Sequence, residues 1–527
     1  MKAARWWIPV AFVVMSACGI PDEPQPQGVA ANAAALEEDL LTSVTAPQLS
    51  PDQQRWLTTV RNRRHTANVN VAMAARMPGA LLQQGRELAV QITPALRVLA
   101  TGQRVTRRGN EDISWAGPAS GSGGWIEIVL TTKGITGTIR VGAQTYTVEP
   151  LGGGLHAIAL VDESKLPRDD AEPLSGGDGE NGDLALVTPD IRRKLSPGTV
   201  VLDIVGDTRI DVLVVYTDSV FVLHSDIYGL AQNAIDQTNT SYSNSAISAT
   251  LNRVITLGVS YNEAGKSSLQ QLQDLTGTSD GFMDVVHALR NLYSTDVVVL
   301  ITGGFTDSVC GRGYLQSTAT TAFSVVSWDC AVAPRWTLAH EVGHNYGARH
   351  ETSNDPGSPY TYGHGFTPSD LAWRTIMTTF VACNNCPRVQ FWSNPDVTFP
   401  STGQVMGTTT AENNARVLTE RKAALSFFRH PGVYISGPYT IVRFQSAQYT
   451  AVTSNGVGPY NYQWRSRTGW NYNWGPWTSW YSTGTTNYTY TSVNGCGINN
   501  KQLEVQVTDS RSDVVTNTFV LSVSNPC

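Results

Sequence analysis

The alternation of apolar and polar positions changes character several times along the chain. A run at 7–14 is uniformly apolar but short. Residues 36–105 carry stretches that read as helical, such as 81–99, interrupted by Pro94. From Ile113 the period becomes two. Trp125-Ile126-Glu127-Ile128-Val129-Leu130, Gly137-Thr138-Ile139-Arg140-Val141 and Thr145-Tyr146-Thr147-Val148 read as short strands separated by Gly-rich turns. Residues 162–190 are acidic and rich in Gly and Pro, a linker composition. Beyond Thr208 the strands become continuously apolar. Residues 210–216 (IDVLVVY) and 296–302 (DVVVLIT) read as strands buried on both faces, with 249–260 as another. Helical spacing predicts helices over 224–240, from an Asp280 cap to Tyr293, over 334–347 and over 411–428. In the second of these, Phe282, Val285, Val286, Leu289 and Leu292 share one side. After Pro431 the period of two returns, in Tyr460/Tyr462/Trp464, Leu503/Val505/Val507 and Phe519/Leu521/Val523.

These shifts divide the 527 residues into four parts. They are an export signal at 1–18, a region at 19–207, an α/β domain at 208–430 and an immunoglobulin-like β-sandwich at 431–527. The second part has a helical start, a β-rich stretch at 113–160 and a linker at 162–207. The α/β domain is expected to hold a mixed, mostly parallel sheet with helices. A hydrophobic content of 41% excludes wholesale disorder. A net charge of -6 with no dense basic block argues against nucleic acid as a partner. Charged residues make up 15%, against about 25% in an average soluble protein, and small polar residues fill the gap, as in exported bacterial proteins.

The signal consists of Lys2 and Arg5, the apolar run and the small pair Ser16-Ala17; the run is too short to span a bilayer. Met15-Ser16-Ala17-Cys18-Gly19 resembles a bacterial lipobox, with Met15 where Leu, Val or Ile is usual. That reading makes Cys18 a lipidated residue attaching the mature chain to an outer membrane or cell surface. The alternative is an ordinary secreted protein. Six cysteines remain: Cys310, Cys330, Cys383, Cys386, Cys496 and Cys527. In an oxidising compartment they read as three disulfides. Cys310 with Cys330, Cys383 with Cys386, and Cys496 with Cys527 are the favoured pairs, and cross-pairing of Cys310 with Cys383 or Cys386 stays open.

The chemistry is concentrated in residues 340–350, His-Glu-Val-Gly-His-Asn-Tyr-Gly-Ala-Arg-His. On a helix, His340 and His344 lie one turn apart on one face, so both imidazoles reach a single ion. Glu341 projects beside them as a general base. Gly347 can take the positive φ that ends the helix and lets His350 return as third ligand. Three imidazoles with an open fourth position describe a catalytic Zn2+ site.

This string resembles the metzincin signature H-E-x-x-H-x-x-G-x-x-H. Met377, in Thr375-Ile376-Met377-Thr378, stands where metzincins carry their Met-turn. The segment from Asp211 to about Phe428 resembles the reprolysin/adamalysin-like branch, and in particular bacterial peptidyl-Asp metalloendopeptidases. That resemblance rests on residues 296–300, Cys310-Gly311-Arg312-Gly313-Tyr314-Leu315, Tyr362-Gly363-His364-Gly365-Phe366 and Trp373-Arg374-Thr375-Ile376-Met377. Residues 113–160, with Tyr146-Thr147-Val148-Glu149-Pro150 and His156, resemble the propeptide of such enzymes. The resemblance implies a zinc endopeptidase made as an exported zymogen, hydrolysing protein or peptide substrates through a zinc-bound water activated by Glu341. It also implies a preference for acidic residues, for which Arg312 and Arg374 are candidate readers. Glu351 follows the third histidine, where adamalysin-like enzymes have Asp and astacins have Glu. A role like that in astacins, binding the new N-terminus, is one reading; a surface carboxylate beside Arg349 is the other. With no cysteine between Cys18 and Cys310, latency must come from steric cover or another donor. The substrate is expected to extend along an edge strand at 313–315 or 323–327. Arg192-Arg193-Lys194 is a processing site or a solvated charge run. His224, His287 and His364 read as structural. Trp470, Trp474, Trp477 and Trp480 read as a hairpin of aromatic pairs, or as a surface or glycan site. The rival to an enzyme is a surface adhesion protein built on an inactive metzincin core.

Overall fold

In a computed structural model of the chain, residues 39–175 and 208–524 are described, apart from 65, 110, 122, 170, 358–359, 427, 430–431, 439, 443, 455–458, 471–472, 484–485, 492–499 and 510–513. Cys18, Cys496, Cys527 and Arg192-Arg193-Lys194 lie outside the described residues. Among the described residues, no helix is long and apolar enough to cross a membrane.

The N-terminal region is a ten-stranded, almost wholly antiparallel sheet running from Leu96–Thr101 at one end to Arg104–Gly109 at the other. A pairing of Ala100 with Ala119 curls it back on itself around Trp115, Ile126, Ile139, Val148 and Ile158. Residues 81–99, read as helical from spacing, instead hold strand Glu87–Thr93 and the start of Leu96–Thr101. Leu88, Val90 and Ile92 enter the core from one face of the strand, and Pro94 occupies the turn, where its missing N–H costs nothing. The helical start is confined to Pro51–Arg63, with a Ser50/Gln53 capping box, and the single turn Pro78–Leu81.

His156 is built into this sheet as a neutral ring. Its Nε2 accepts the Ile135 N–H at 2.8 Å, and its Nδ1 meets the Gly154 carbonyl at 3.0 Å. Burial pushes it down to about 4. At pH above about 6.5 folded and unfolded chains both keep this ring neutral, so its environment costs nothing. As pH falls from about 6.5 to 4 the unfolded chain takes up a proton that the folded one refuses, and stability drops by about 3 kcal/mol. Thermal melting of this region should therefore soften over that window, and His156→Gln should flatten the dependence.

The second region is built on a mixed sheet. Ala249–Val259, Thr208–Thr217, Val297–Thr302 and Phe323–Ser327 lie side by side and parallel in that order. Gly311–Leu315 is added antiparallel beyond Phe323–Ser327. Successive residues feed opposite faces. Val212, Val214, Val297 and Val299 pack against Leu230, Ala234, Trp336 and Val342; Leu213, Val215, Val298 and Leu300 pack against Leu272, Leu275 and Val286. Both faces are covered, which is why these strands are apolar throughout rather than alternating. Helix Ile227–Asn244 starts where Asp226 accepts the Gly229 N–H at 3.0 Å. The helix expected from Asp280 begins only at Val285. Asp280 accepts the Phe282 N–H at 2.9 Å within the preceding turn, and Phe282, Val285 and Leu292 are exposed while Val286 is buried.

The two regions meet through polar contacts. Asp226 accepts hydrogen bonds from Thr131 and Thr136, each at 2.8 Å; Gln237 donates to Thr138 at 2.6 Å, and Gln390 to Glu127 at 3.0 Å. A cavity of about 560 Å³ lies in the seam, lined by Arg104, Glu127, Asn233 and Asp236 among others. Residues 162–175, whose composition predicts a free linker, are folded onto the second region, with Leu174–Ser175 paired parallel to Gly311–Leu315. Asp169 finds fixed basic partners there in Arg335, Arg374 and Arg388, which composition alone does not reveal.

Residues 432–524 form two sheets over a shared core of Tyr449, Trp464, Leu503, Val505, Phe519 and Leu521. On strand Asn461–Trp470, Arg465 lies over Trp477 and Trp480, and Arg467 over Trp474 and Trp477, at 4.3–5.2 Å. These tryptophans thus stack on guanidinium groups as well as bordering a hairpin.

Candidate active site

Helix Thr337–Tyr346 opens at Trp336 and ends at Gly347, both in the left-handed region, with φ of 50° and 110°. Gly347 N–H bonds back to His344 O at 2.8 Å, and Ala348 N–H to Gly343 O at 3.0 Å. This reversal is affordable only for a residue without a Cβ, and it returns the chain so that His350 meets the first two histidines.

The three Nε2 atoms of His340, His344 and His350 lie 3.1 Å from one another, and all three side chains are buried. His340 Nδ1 sits 2.9 Å from Ile376 O and His344 Nδ1 2.8 Å from Ala348 O. Each Nδ1 must donate there, so each Nε2 presents a lone pair to the others. Burial, then the neighbouring imidazoles and nearby arginines, hold His340 and His344 well below the usual histidine range. Converging neutral lone pairs repel unless a cation lies among them, and imidazole nitrogens at this spacing suit a tetrahedral ion. The donor set therefore fits a metal.

Glu341 is fully buried beside this cluster. A Cβ on Gly311 would lie 2.7 Å from its Oε1, and one on Gly313 3.1 Å from its Oε2. The two glycines of strand Gly311–Leu315 thus make room for the carboxylate. Met377 is fully buried under the helix, and a Cβ on Gly343 would come within 2.8 Å of its sulfur and 2.6 Å of Trp392. Glu351 accepts the Thr379 N–H at 2.8 Å and its hydroxyl at 2.6 Å, tying the third histidine's neighbour to the turn after Met377. Its partner here is Thr379, and Arg349 pairs instead with Asp355, so Glu351 is not a surface carboxylate beside Arg349. His364 Nδ1 sits 2.9 Å from His350 O and steadies that residue's backbone. His287 stacks on Phe323 and His224 packs near Trp328, both apart from the cluster.

Cys310 is bonded to Cys330 and Cys383 to Cys386. The first bridge brackets the edge strand and the second closes the loop after Met377. Phe323–Ser327 lies inside the sheet and is wholly buried, so of the two expected substrate strands only Gly311–Leu315 lies near a margin of the sheet, with just the two-residue strand Leu174–Ser175 beyond it. Leu174–Ser175 lies along it, and Glu172 Oε1 approaches His350 Nδ1 to 3.7 Å. Arg312 donates to the Glu172 carbonyl and to Ser268 Oγ at 3.0 Å. Arg374 is buried against Asp169 together with Arg335 and Arg388. Sequence reading named Arg374 but missed Arg335, Arg388 and Asp169. Arg335 stands two residues before the helix and Arg388 two after Cys386. That nearness to the motif was the available signal.

This site is that of a metal-dependent peptidase, and the comparisons agree. The family model described as Metallo-peptidase family M12 matches residues 206–392. A peptidyl-Asp metalloendopeptidase of Xanthomonas campestris pv. campestris is 35% identical over 312 residues, covering 57% of this chain and 69% of that protein. One of Stenotrophomonas maltophilia is 36% identical over 313 residues, covering 57% and 70%. One of Pseudomonas fragi is 34% identical over 125 residues, covering 24% and 79%. Among solved structures, a chain described as "Structure of a chaperone-substrate complex" aligns at TM-score 0.35 and 21% identity over 43% of this chain and 36% of that one, a likeness too slight to define the fold. The chain belongs to the M12 metallopeptidases, of metzincin type, and is a metalloendopeptidase.

Proposed function

We propose that this chain is a zinc endopeptidase exported as a zymogen, with His340, His344 and His350 as the metal ligands and Glu341 as general base. The observation that carries this reading is the convergence of three Nε2 atoms at 3.1 Å beside a buried glutamate. A zinc ion held there supplies Lewis acidity, lowering the pKa of water to roughly 7 and polarising the scissile carbonyl. The chain's residues do the rest. Glu341 takes the proton of the attacking water and passes it to the leaving amine. Gly311–Leu315 binds the extended substrate through its backbone. Met377 and Trp392 form the apolar floor that keeps the ligand helix in place.

The region before residue 208 acts as the pro-region. Its core is separate from that of the peptidase region, and the seam is polar with a cavity, as expected of units that part. Latency is steric: Glu172 to Ser175 cover the third histidine and the edge strand, with no cysteine required. The N-terminal signal directs export, with Cys18 as lipid anchor, and the C-terminal pair of sheets serves as an immunoglobulin-like surface-binding module. Cleavage beside Asp, named for the relatives, extends to this chain.

The reading is tested by metal analysis of the purified chain together with hydrolysis of denatured casein. One zinc per chain is expected, with cleavage abolished by o-phenanthroline and restored by added zinc. Zinc binding without any cleavage would favour a binding protein on an inactive core.

A further inference from the structure

We propose that Arg335, Arg374 and Arg388 form the pocket that reads an acidic side chain next to the scissile bond, and that Asp169 of the pro-region occupies it in the zymogen. The proposal rests on the peptidase reading and adds to it the residues that set specificity.

Asp169 is buried, with its side chain 1% exposed. Arg374 grips it with two nitrogens, Nη1 to Oδ2 and Nη2 to Oδ1, the latter at 3.3 Å. Arg335 Nη1 lies 3.4 Å from Oδ1 and Arg388 Nη2 3.6 Å from Oδ2. A forked guanidinium with two further cations is the arrangement by which proteins select a carboxylate over its neutral amide. Burial alone would raise Asp169, but Arg388, Arg374 and Arg335 outweigh it and hold its carboxyl well below the usual range.

The pocket is rigid independently of its occupant. Arg374 Nε donates to Cys386 O at 3.0 Å and its Nη1 to Thr378 O at 2.6 Å; Arg388 donates to Thr378 O at 3.2 Å and to Arg335 O. The Cys383–Cys386 bridge closes the loop between these arginines. The guanidiniums of Arg335, Arg374 and Arg388 all face the Asp169 carboxylate. Once Asp169 departs, the buried Arg374 fork loses the carboxylate it grips, and another carboxylate is the group that fits its place.

The pocket adjoins the reacting centre. Thr378, whose carbonyl accepts from two of the arginines, directly follows Met377. Glu172 lies 3.7 Å from His350, and three extended residues back to Asp169 span at most about 10 Å. A substrate following the same cleft would thus put a side chain near the scissile bond into the arginines.

The test uses the full chain, activated as it is produced, and two peptides identical except for Asp or Asn beside the scissile bond. Wild type is expected to favour the Asp peptide in kcat/KM by about 10²-fold or more, because the arginines lose their partner with the amide. Arg374→Gln should collapse that ratio to within about 3-fold of unity, and Arg374→Lys, which keeps the charge but not the fork, should fall between. An unchanged ratio in Arg374→Gln, or an equal loss on both peptides, overturns the pocket. A second arm needs no activity. In full-length Glu341→Gln, adding Asp169→Asn should cost the Ala171 amide, which bonds to Gly311 O at 3.1 Å, about 10-fold or more of its hydrogen-exchange protection. Unchanged protection there also overturns the proposal. If wild type cleaves neither peptide, the peptidase reading fails, and this second arm still judges whether the arginines demand a carboxylate.

Discussion

Glu341→Gln is expected to retain the metal and to lose about 10²–10⁴-fold in kcat/KM for peptide hydrolysis. The three nitrogens that meet at 3.1 Å belong to histidines alone, so the carboxylate is not needed to hold the ion. Gln matches Glu in shape, which matters because Gly311 and Gly313 leave no slack around the side chain. What the amide cannot do is accept a proton from water and return it to the leaving amine. The check is metal content, circular dichroism and kcat/KM on one preparation. Near-wild-type turnover with metal bound would remove Glu341 from the mechanism.

Trp392→Ala is expected to destabilise the peptidase region by about 3–5 kcal/mol. The ring is fully buried, and its Nε1 donates to Ser241 Oγ at 2.8 Å. It packs against Tyr242 at 5.9 Å between centroids and lies directly under Gly343 of helix Thr337–Tyr346. Deleting it leaves a cavity where helix Ile227–Asn244, helix Thr337–Tyr346 and the Met377 turn meet, and leaves Ser241 Oγ with only its bond to Thr238 O at 2.6 Å. Against a typical domain stability of 5–15 kcal/mol the loss is large. Urea unfolding should show an earlier midpoint for the peptidase transition, and histidine convergence should loosen with it, so metal affinity falls as well. Trp392→Phe, which fills most of the space, should cost far less. Equal midpoints for wild type and Trp392→Ala would show that the ring does not support this region.

The strands of the peptidase region were legible because burial on both faces leaves an unbroken apolar run, as in 210–216 and 296–302. The ligand helix was legible from residues 340–350 with an error of three residues at its start and one at its end. Residues 81–99 were misread because short alternating strands around Pro94 share apolar density with a helix, and only pairing across the sheet separates the two. Phe323–Ser327 was a candidate edge because nothing local says which strand a later one will flank.

Eleven residues, by themselves, determined the site's chemistry: helical period sets His340 and His344 on one face, and Gly347 turns the chain for His350. Each of these relations is local, acting over one or two turns, so sequence order carries it. Tertiary structure decided where Gly311–Leu315 lies, that Leu174–Ser175 covers it, and that Asp169 meets Arg374 across 205 positions. A buried charge cluster is stable only through the mutual placement of its members. Its physics is long-range in sequence and short-range in space, and it becomes visible only when the chain is folded.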